Sequence, residues 1–200
     1  AESTIEEMEA IAEIAIENDL WVLSDDAYYE IIYDGKARSI VSIPGMKERT
    51  VILYTFSKKF AMTGWRIGYG VWPKKLISSA IRLSINCHSC VNAAAQFAAI
   101  EALRGPQAEV NKMVSTFDKR RKLLVHELNN IPGFNCPLPG GAFYAFPNID
   151  ETGYKSSVLQ DKCLNEAGVA LIAGTSFGHL GEGYLRISYA NSTKNILNAV

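Results

Sequence analysis

Two stretches of this chain combine residue types that can do chemistry together. The first is Thr55-Phe56-Ser57-Lys58-Lys59, with Arg66 eight residues after Lys58 in Gly64-Trp65-Arg66-Ile67-Gly68. Small hydroxyls and a planar guanidinium make a phosphate cradle, because the arginine fork grips two oxygens at once. Gly64 and Gly68 let the backbone pass close to such a ligand. A lysine beside the cradle is an amine able to form an imine with an aldehyde. Read by themselves, Lys58 and Lys59 are more simply two solvated lysines in a loop. The second stretch is Ser24-Asp25-Asp26-Ala27-Tyr28. Here an acid ends an apolar run and a tyrosine follows three residues later. An aspartate so placed can pair with a protonated heterocycle, and a tyrosine can donate to a phenolate oxygen.

The elements that must position these groups can be read from periodicity. Residues 3–18 predict an amphipathic helix, with Ile5, Met8, Ile11, Ala12, Ala15 and Ile16 at spacings of three and four. Ser3 or Thr4 can cap it, and Glu6 and Glu7 favour its first turn. Leu20-Trp21-Val22-Leu23, residues 51–55 and Gly68–Trp72 are short apolar runs suited to strands covered on both faces, as in a parallel sheet. Strand ends in such sheets are where ligand sites form. Pro73 precedes a helix near Lys74–Leu83, and a long helical region spans Asn92 to Asn129 with a break at Gly105-Pro106. Strands then follow at Phe134–Pro137, Gly141–Phe146, Val169–Ile172 and Tyr184–Tyr189, with a helix at 155–167. Apolar strands alternating with helices predict an α/β fold, with a smaller α+β unit after them. A last helix begins at Ser192 and has room for about two turns.

Composition narrows the class. Of 200 residues, 48% are hydrophobic and 20% charged, which suits a packed core and not a disordered chain. A net charge of −1 offers no field to recruit nucleic acid or an anionic membrane. No apolar run reaches the roughly 18 residues of a spanning helix. The expectation is a cytoplasmic globular protein. Lys112, Lys119, Arg120, Arg121 and Lys122 form a basic cluster, read as a solvated helix face above an apolar stripe of Val110, Met113, Phe117, Leu124 and Leu128. Cys87-His88-Ser89-Cys90 lacks a second ligand pair at zinc spacing and does not open a helix after a strand, so it reads as free thiols.

Lysine, aspartate, tyrosine, arginine and hydroxyls together meet the demands of pyridoxal phosphate: aldehyde, pyridine nitrogen, ring hydroxyl and phosphate. The segments SDDAYYEIIYDG, TFSKKFAMTGWRIGYG, PGGAFYAFPNI, VALIAGTSFG and YLRISYANS stand in one order along the chain. In that order the sequence resembles the pyridoxal-phosphate-dependent aminotransferases of fold type I, class I, the aspartate aminotransferase-like family. The resemblance implies that Lys58 forms the Schiff base with the cofactor and acts as the base of the reaction. It assigns Asp25 to the pyridine nitrogen, Tyr28 to the ring oxygen, and Thr55, Ser57 and Arg66 to the phosphate. Arg186 would clamp the substrate α-carboxylate, while Lys59 would point elsewhere and Asp26 would be peripheral. Phe177 would edge the substrate pocket, Phe143 and Tyr144 would pack the small domain, and His179 would be a loop residue. No arginine between Arg82 and Arg104 stands as an obvious counterpart of the one that binds a distal carboxylate in some members.

The same resemblance implies a C-terminal fragment. Residues 1–107 would be the later part of a cofactor-binding large domain with a mainly parallel sheet, and residues 108–200 a small α+β domain cut at its last helix. The full-length enzyme would be a homodimer that moves an amino group from an amino acid to a 2-oxo acid, and the isolated fragment would be inactive. Two other readings fit the same motifs: a lyase on this scaffold, and the ligand-sensing domain of a transcription regulator.

Overall fold

Thr4 starts the first helix. Its side-chain oxygen accepts the Glu7 N–H at 3.1 Å while the Glu7 carboxylate accepts the Thr4 N–H at 2.8 Å. This reciprocal cap opens helix α1 (Ile5–Glu17). The computed structural model describes residues 4–200, so Ser3, the other candidate cap, lies outside the described residues. Asp19 takes a left-handed φ of 47° and the Leu20 N–H donates to the Ala15 carbonyl at 2.8 Å, ending the helix. Arg49 donates to the carbonyls of Ala15 and Leu20, where a cation suits the helix dipole. Ala12 and Ala15 pack against Ile40 and Met46.

That helix ending moves the first strand. Leu20 is consumed by the cap, so strand β1 is Val22–Asp25 rather than the run from Leu20 to Leu23. The Val22 N–H begins the pairing by donating to the Arg49 carbonyl at 3.0 Å. Strand β2 (Thr50–Thr55) runs parallel to β1, with Val22 opposite Thr50 and Asp25 opposite Leu53. Helix α2 (Phe56–Lys59) follows directly, then a single 3-10 turn at Thr63–Trp65. Strand β3 (Gly68–Val71) returns antiparallel to β2. The expected mainly parallel sheet is thus corrected to a three-stranded sheet with one parallel and one antiparallel pair. The Phe56 N–H donates to the Ile67 carbonyl at 3.2 Å, which turns the chain back on itself and denies it a crossover. Leu23 is 67% exposed and all of β3 is exposed.

Helix α3 (Lys74–His88) runs beyond Leu83, since Ile81 and Ile85 continue its spacing until Ser89 at φ 60° stops it. Helices α4 (Ala93–Arg104) and α5 (Ala108–Leu128) flank the Gly105-Pro106 break. Phe56, Ile67, Ala95 and Ala99 form a second core. By its internal packing the chain divides into a unit ending at Asn111 and a unit from Lys112 to Val200.

Helix α5 buries Phe117, Leu124, Val125 and Leu128, while Val110 and Met113 are half-buried. Arg121 corrects the reading of a solvated basic face, being 1% exposed. Its guanidinium donates to the Pro139 carbonyl and to Asp118, each at 2.6 Å. Strand β4 (Tyr144–Ala145), helix α6 (Ser156–Ala167), β5 (Ile172–Ala173), β6 (Leu185–Ser188) and helix α7 (Thr193–Ala199) complete the unit. Strand β6 lies between β4 and β5, antiparallel to both. The strand expected at Phe134–Pro137 is a single bridge from Asn135 to Asn148, for Pro137 has no N–H to extend it. Val169 stays out of β5 because its N–H closes α6 on the Cys163 carbonyl. Among the described residues no helix is long and apolar enough to cross a membrane.

Candidate functional site

Register alone gathers one set of expected residues. Asp25 closes β1 beside Leu53, and Thr55 closes β2 opposite Gly68, the first residue of β3. Neighbouring strands lie about 4.8 Å apart, so these three positions share one edge of the sheet. The turn after β1 carries Tyr28, α2 carries Ser57 and Lys58, and Arg66 sits two residues before β3. Lys58 Nζ lies 5.7 Å from the centroid of the Tyr28 ring.

Each side chain has a local reason for its place. Asp25 is exposed, and its Oδ1 accepts the Ala27 N–H at 3.2 Å, which folds the turn back toward Tyr28. The Thr55 hydroxyl oxygen accepts the Ser57 N–H at 3.1 Å and so caps α2. A hydroxyl that accepts still has its hydrogen to donate. Arg66 is held at φ 51°, a left-handed conformation that costs a non-glycine residue roughly 1–3 kcal/mol. Its Nη1 donates to the Thr63 carbonyl at 3.0 Å, directing an otherwise exposed guanidinium. Gly68 must be glycine, because a Cβ there would stand 2.5 Å from the Tyr54 carbonyl oxygen.

Lys59 leaves α2 on another side. It forms an ion pair with Glu30 and lies 4.7 Å from the Phe60 ring centroid. It lines a cavity of about 110 Å³ with Asp26, Tyr29, Glu30, Tyr54 and Tyr69. Within that cavity the Asp26 Oδ1 accepts the Ser24 hydroxyl at 2.6 Å. Burial, and after it the Asp26 charge, pushes the Tyr54 hydroxyl up to about 12. Burial and then Glu30 push Tyr69 up as well.

Arg186 belongs to the second unit, on β6 opposite Ile172. Its guanidinium carbon lies 4.6 Å from the Tyr144 ring centroid and 4.3 Å from that of Phe177. Phe177 is steadied edge-on by Phe146, which stacks on Tyr184. Tyr144 and Phe143 pack on each other, and Phe143 on Phe117. Tyr144 thus does more than the packing expected of it. Neither the sandwich around Arg186 nor the Glu30–Lys59 pair was readable in the sequence, because each joins residues that only folding brings together. His179 is exposed in a 3-10 turn. All four cysteines are free, and among the described residues no group of three His, Cys, Asp or Glu could hold a metal ion.

Taken as a donor set, the sheet edge fits a pyridine aldehyde phosphate. It offers an amine for the aldehyde, a carboxylate for the pyridine nitrogen, a phenol for the ring oxygen, and two hydroxyls and a guanidinium for the phosphate.

The family model for aminotransferase class I and II matches residues 2–200. The aspartate aminotransferase of Pyrococcus abyssi is 42% identical over 197 residues, covering 97% of this chain and 50% of that protein. The aromatic-amino-acid aminotransferase 2 of Thermococcus litoralis is 40% identical over 200 residues, covering 98% and 51%. The crystal structure of an aromatic aminotransferase from Pyrococcus horikoshii superposes with a TM-score of 0.94 at 40% identity, over 98% of this chain and 53% of that one. The chain spans about half the length of the curated relatives it matches.

Proposed function

Because the chain belongs to the class I and II aminotransferase family, we propose that it carries the lysine-bearing part of a pyridoxal-phosphate-dependent enzyme that transfers an amino group from an amino acid to a 2-oxo acid. The observation that carries this reading is that Asp25 and Thr55 end neighbouring strands on one side of the sheet, with Arg66 two residues before β3 and Lys58 Nζ 5.7 Å from the Tyr28 ring.

When bound, pyridoxal phosphate supplies an electron sink for the bonds at the substrate Cα. Asp25 would pair with the pyridine nitrogen and keep it protonated. Tyr28 would donate to the ring oxygen. Thr55 and Ser57 would donate hydroxyl hydrogens to the phosphate, and Arg66 would neutralise it. Lys58 would be the amine that holds the cofactor and the base at the substrate Cα. Arg186, whose guanidinium lies near the Tyr144 and Phe177 rings, would grip the α-carboxylate with both arms of its fork. Residues 1–107 form the cofactor-binding part and residues 108–200 the part that carries Arg186, and two copies of the complete protein pair as a homodimer.

The test is made on the complete protein incubated with pyridoxal phosphate. Borohydride reduction and peptide mapping should place the pyridoxyl group on Lys58, and turnover should require a 2-oxo acid. Label on Lys59 refutes the assignment of the amine. Ammonia release without a 2-oxo acid refutes transfer in favour of a lyase.

A further inference from the structure

The two elements that meet at the candidate site, α2 and the turn after β1, are joined a second time behind it. Helix α2 is one turn of four residues, Phe56–Lys59. A helix that short has no stability of its own, so its orientation must come from tethers. One end is fixed by the Thr55 cap and by Phe56, which is buried with Ile67, Ala95 and Ala99 and stacks on Phe60. Phe60 and Met62, just past its end, pack on the same core, and the Met62 N–H donates to the Phe56 carbonyl at 3.2 Å. Lys59 adds a polar tether toward the turn after β1, where its ammonium pairs with the Glu30 carboxylate.

We propose that the Glu30–Lys59 ion pair is a positioning clamp that sets the direction of Lys58 relative to Tyr28. The inference rests on Lys58 being the cofactor amine. Successive residues leave a helix about 100° apart, so fixing where Lys59 points also fixes where Lys58 points. Glu30 stands two residues beyond Tyr28 in a turn closed by Tyr29 N–H to Asp26 at 3.1 Å and Ile31 N–H to Tyr28 at 2.9 Å. Ile31 is fully buried and anchors that turn. The clamp therefore grips both elements within two residues of the groups it aligns.

Exposed ion pairs hold structures weakly, but this one is sheltered on its cationic side. The Lys59 side chain is only 19% exposed and lies over the Phe60 ring. Asp26 lines the same cavity. A second carboxylate facing the same space favours keeping the ammonium there. Glu30 and Lys59 are positioning residues; neither is assigned a contact with cofactor or substrate.

The experiment uses the complete protein stripped of cofactor, and follows by absorbance the rate at which added pyridoxal phosphate is captured. Glu30→Gln and Lys59→Met should each slow capture about tenfold, the scale on which a small misplacement of a reacting group acts. The exchanged pair Glu30→Lys/Lys59→Glu should recover to within about twofold of the parent, as a coupling between two charges requires. Lys162→Met, which opens the exposed Lys162–Glu166 pair in the other unit, should leave capture unchanged. Peptide mapping of the reduced product separates the two levels of inference. If label stays on Lys58 while both single variants capture at the parental rate, the clamp is refuted and the Lys58 reading stands. If the exchanged pair is as slow as the single variants, the clamp is likewise refuted. Label on Lys59 in the parent overturns both.

Discussion

Phe177→Leu isolates one wall of the Arg186 sandwich. The Phe177 ring centroid is 4.3 Å from the guanidinium carbon, inside the range where a cation is drawn to an aromatic face. Phe177 is 54% exposed, which places the interaction at its weak end, about 0.5–1 kcal/mol. Leucine keeps an apolar side chain of similar reach and removes only the ring. The Tyr144 face, at 4.6 Å, remains. Losing one of two walls should let the fork sample orientations that cannot grip a carboxylate at both oxygens. At 1.4 kcal/mol per tenfold, the loss is a factor of about 2–5. The carboxylate is held alike before and during the reaction, so the effect should fall on KM and leave kcat nearly unchanged. Steady-state kinetics of the complete protein, varying the amino acid at saturating 2-oxo acid, reads both constants. Arg186→Lys sets the scale for losing the fork altogether. An unchanged KM in Phe177→Leu, or a fall in kcat with KM intact, would refute this account of how Arg186 is oriented.

Asp25→Ala should lower kcat by about 10²–10³, the usual worth of one electrostatic partner to developing charge, while phosphate-dependent cofactor retention changes far less. Turnover near the parental level would show that another acid pairs with the ring nitrogen. Arg121→Met removes the hydrogen bonds to Pro139 and Asp118 but keeps the stem that fills the core. At about 1.5 kcal/mol or more for each charged hydrogen bond, unfolding in urea should show a loss of roughly 3 kcal/mol, and an unshifted midpoint would contradict the burial of the guanidinium. The Tyr54 hydroxyl, raised to about 12 by burial and then by Asp26, binds its proton more tightly folded than unfolded. Its contribution to stability is therefore complete below an unfolded value of about 10 and is lost as pH rises toward 12. Ultraviolet titration should find one tyrosine ionising near 12 that disappears in Tyr54→Phe.

Some of this protein was determined within short stretches of chain. The spacing of Ile5, Met8, Ala12 and Ala15, with Thr4 ahead of it, specifies α1 because a capped amphipathic helix is a local structure. Thr55, Ser57, Lys58 and Arg66 lie within twelve residues, and Asp25 and Tyr28 within four, so each half of the candidate site was legible from residue types and spacing. The break at Gly105-Pro106 and the stripe of α5 were legible for the same reason. What tertiary structure decided involves partners distant in sequence. The direction of β3 follows from the Phe56–Ile67 hydrogen bond, and the start of β1 from a contest between the α1 ending and pairing with Arg49. A basic residue in a run of basic residues looks solvated until a carbonyl 18 positions away reaches it, as Pro139 does for Arg121. The rings around Arg186 come from β4 and from the turn before β6, and Glu30 meets Lys59 from 29 residues away. Local propensity specifies which groups a segment carries and which face they share. Only the packing of one segment on another specifies which charge finds which partner, because that energy does not exist until the chain has closed on itself.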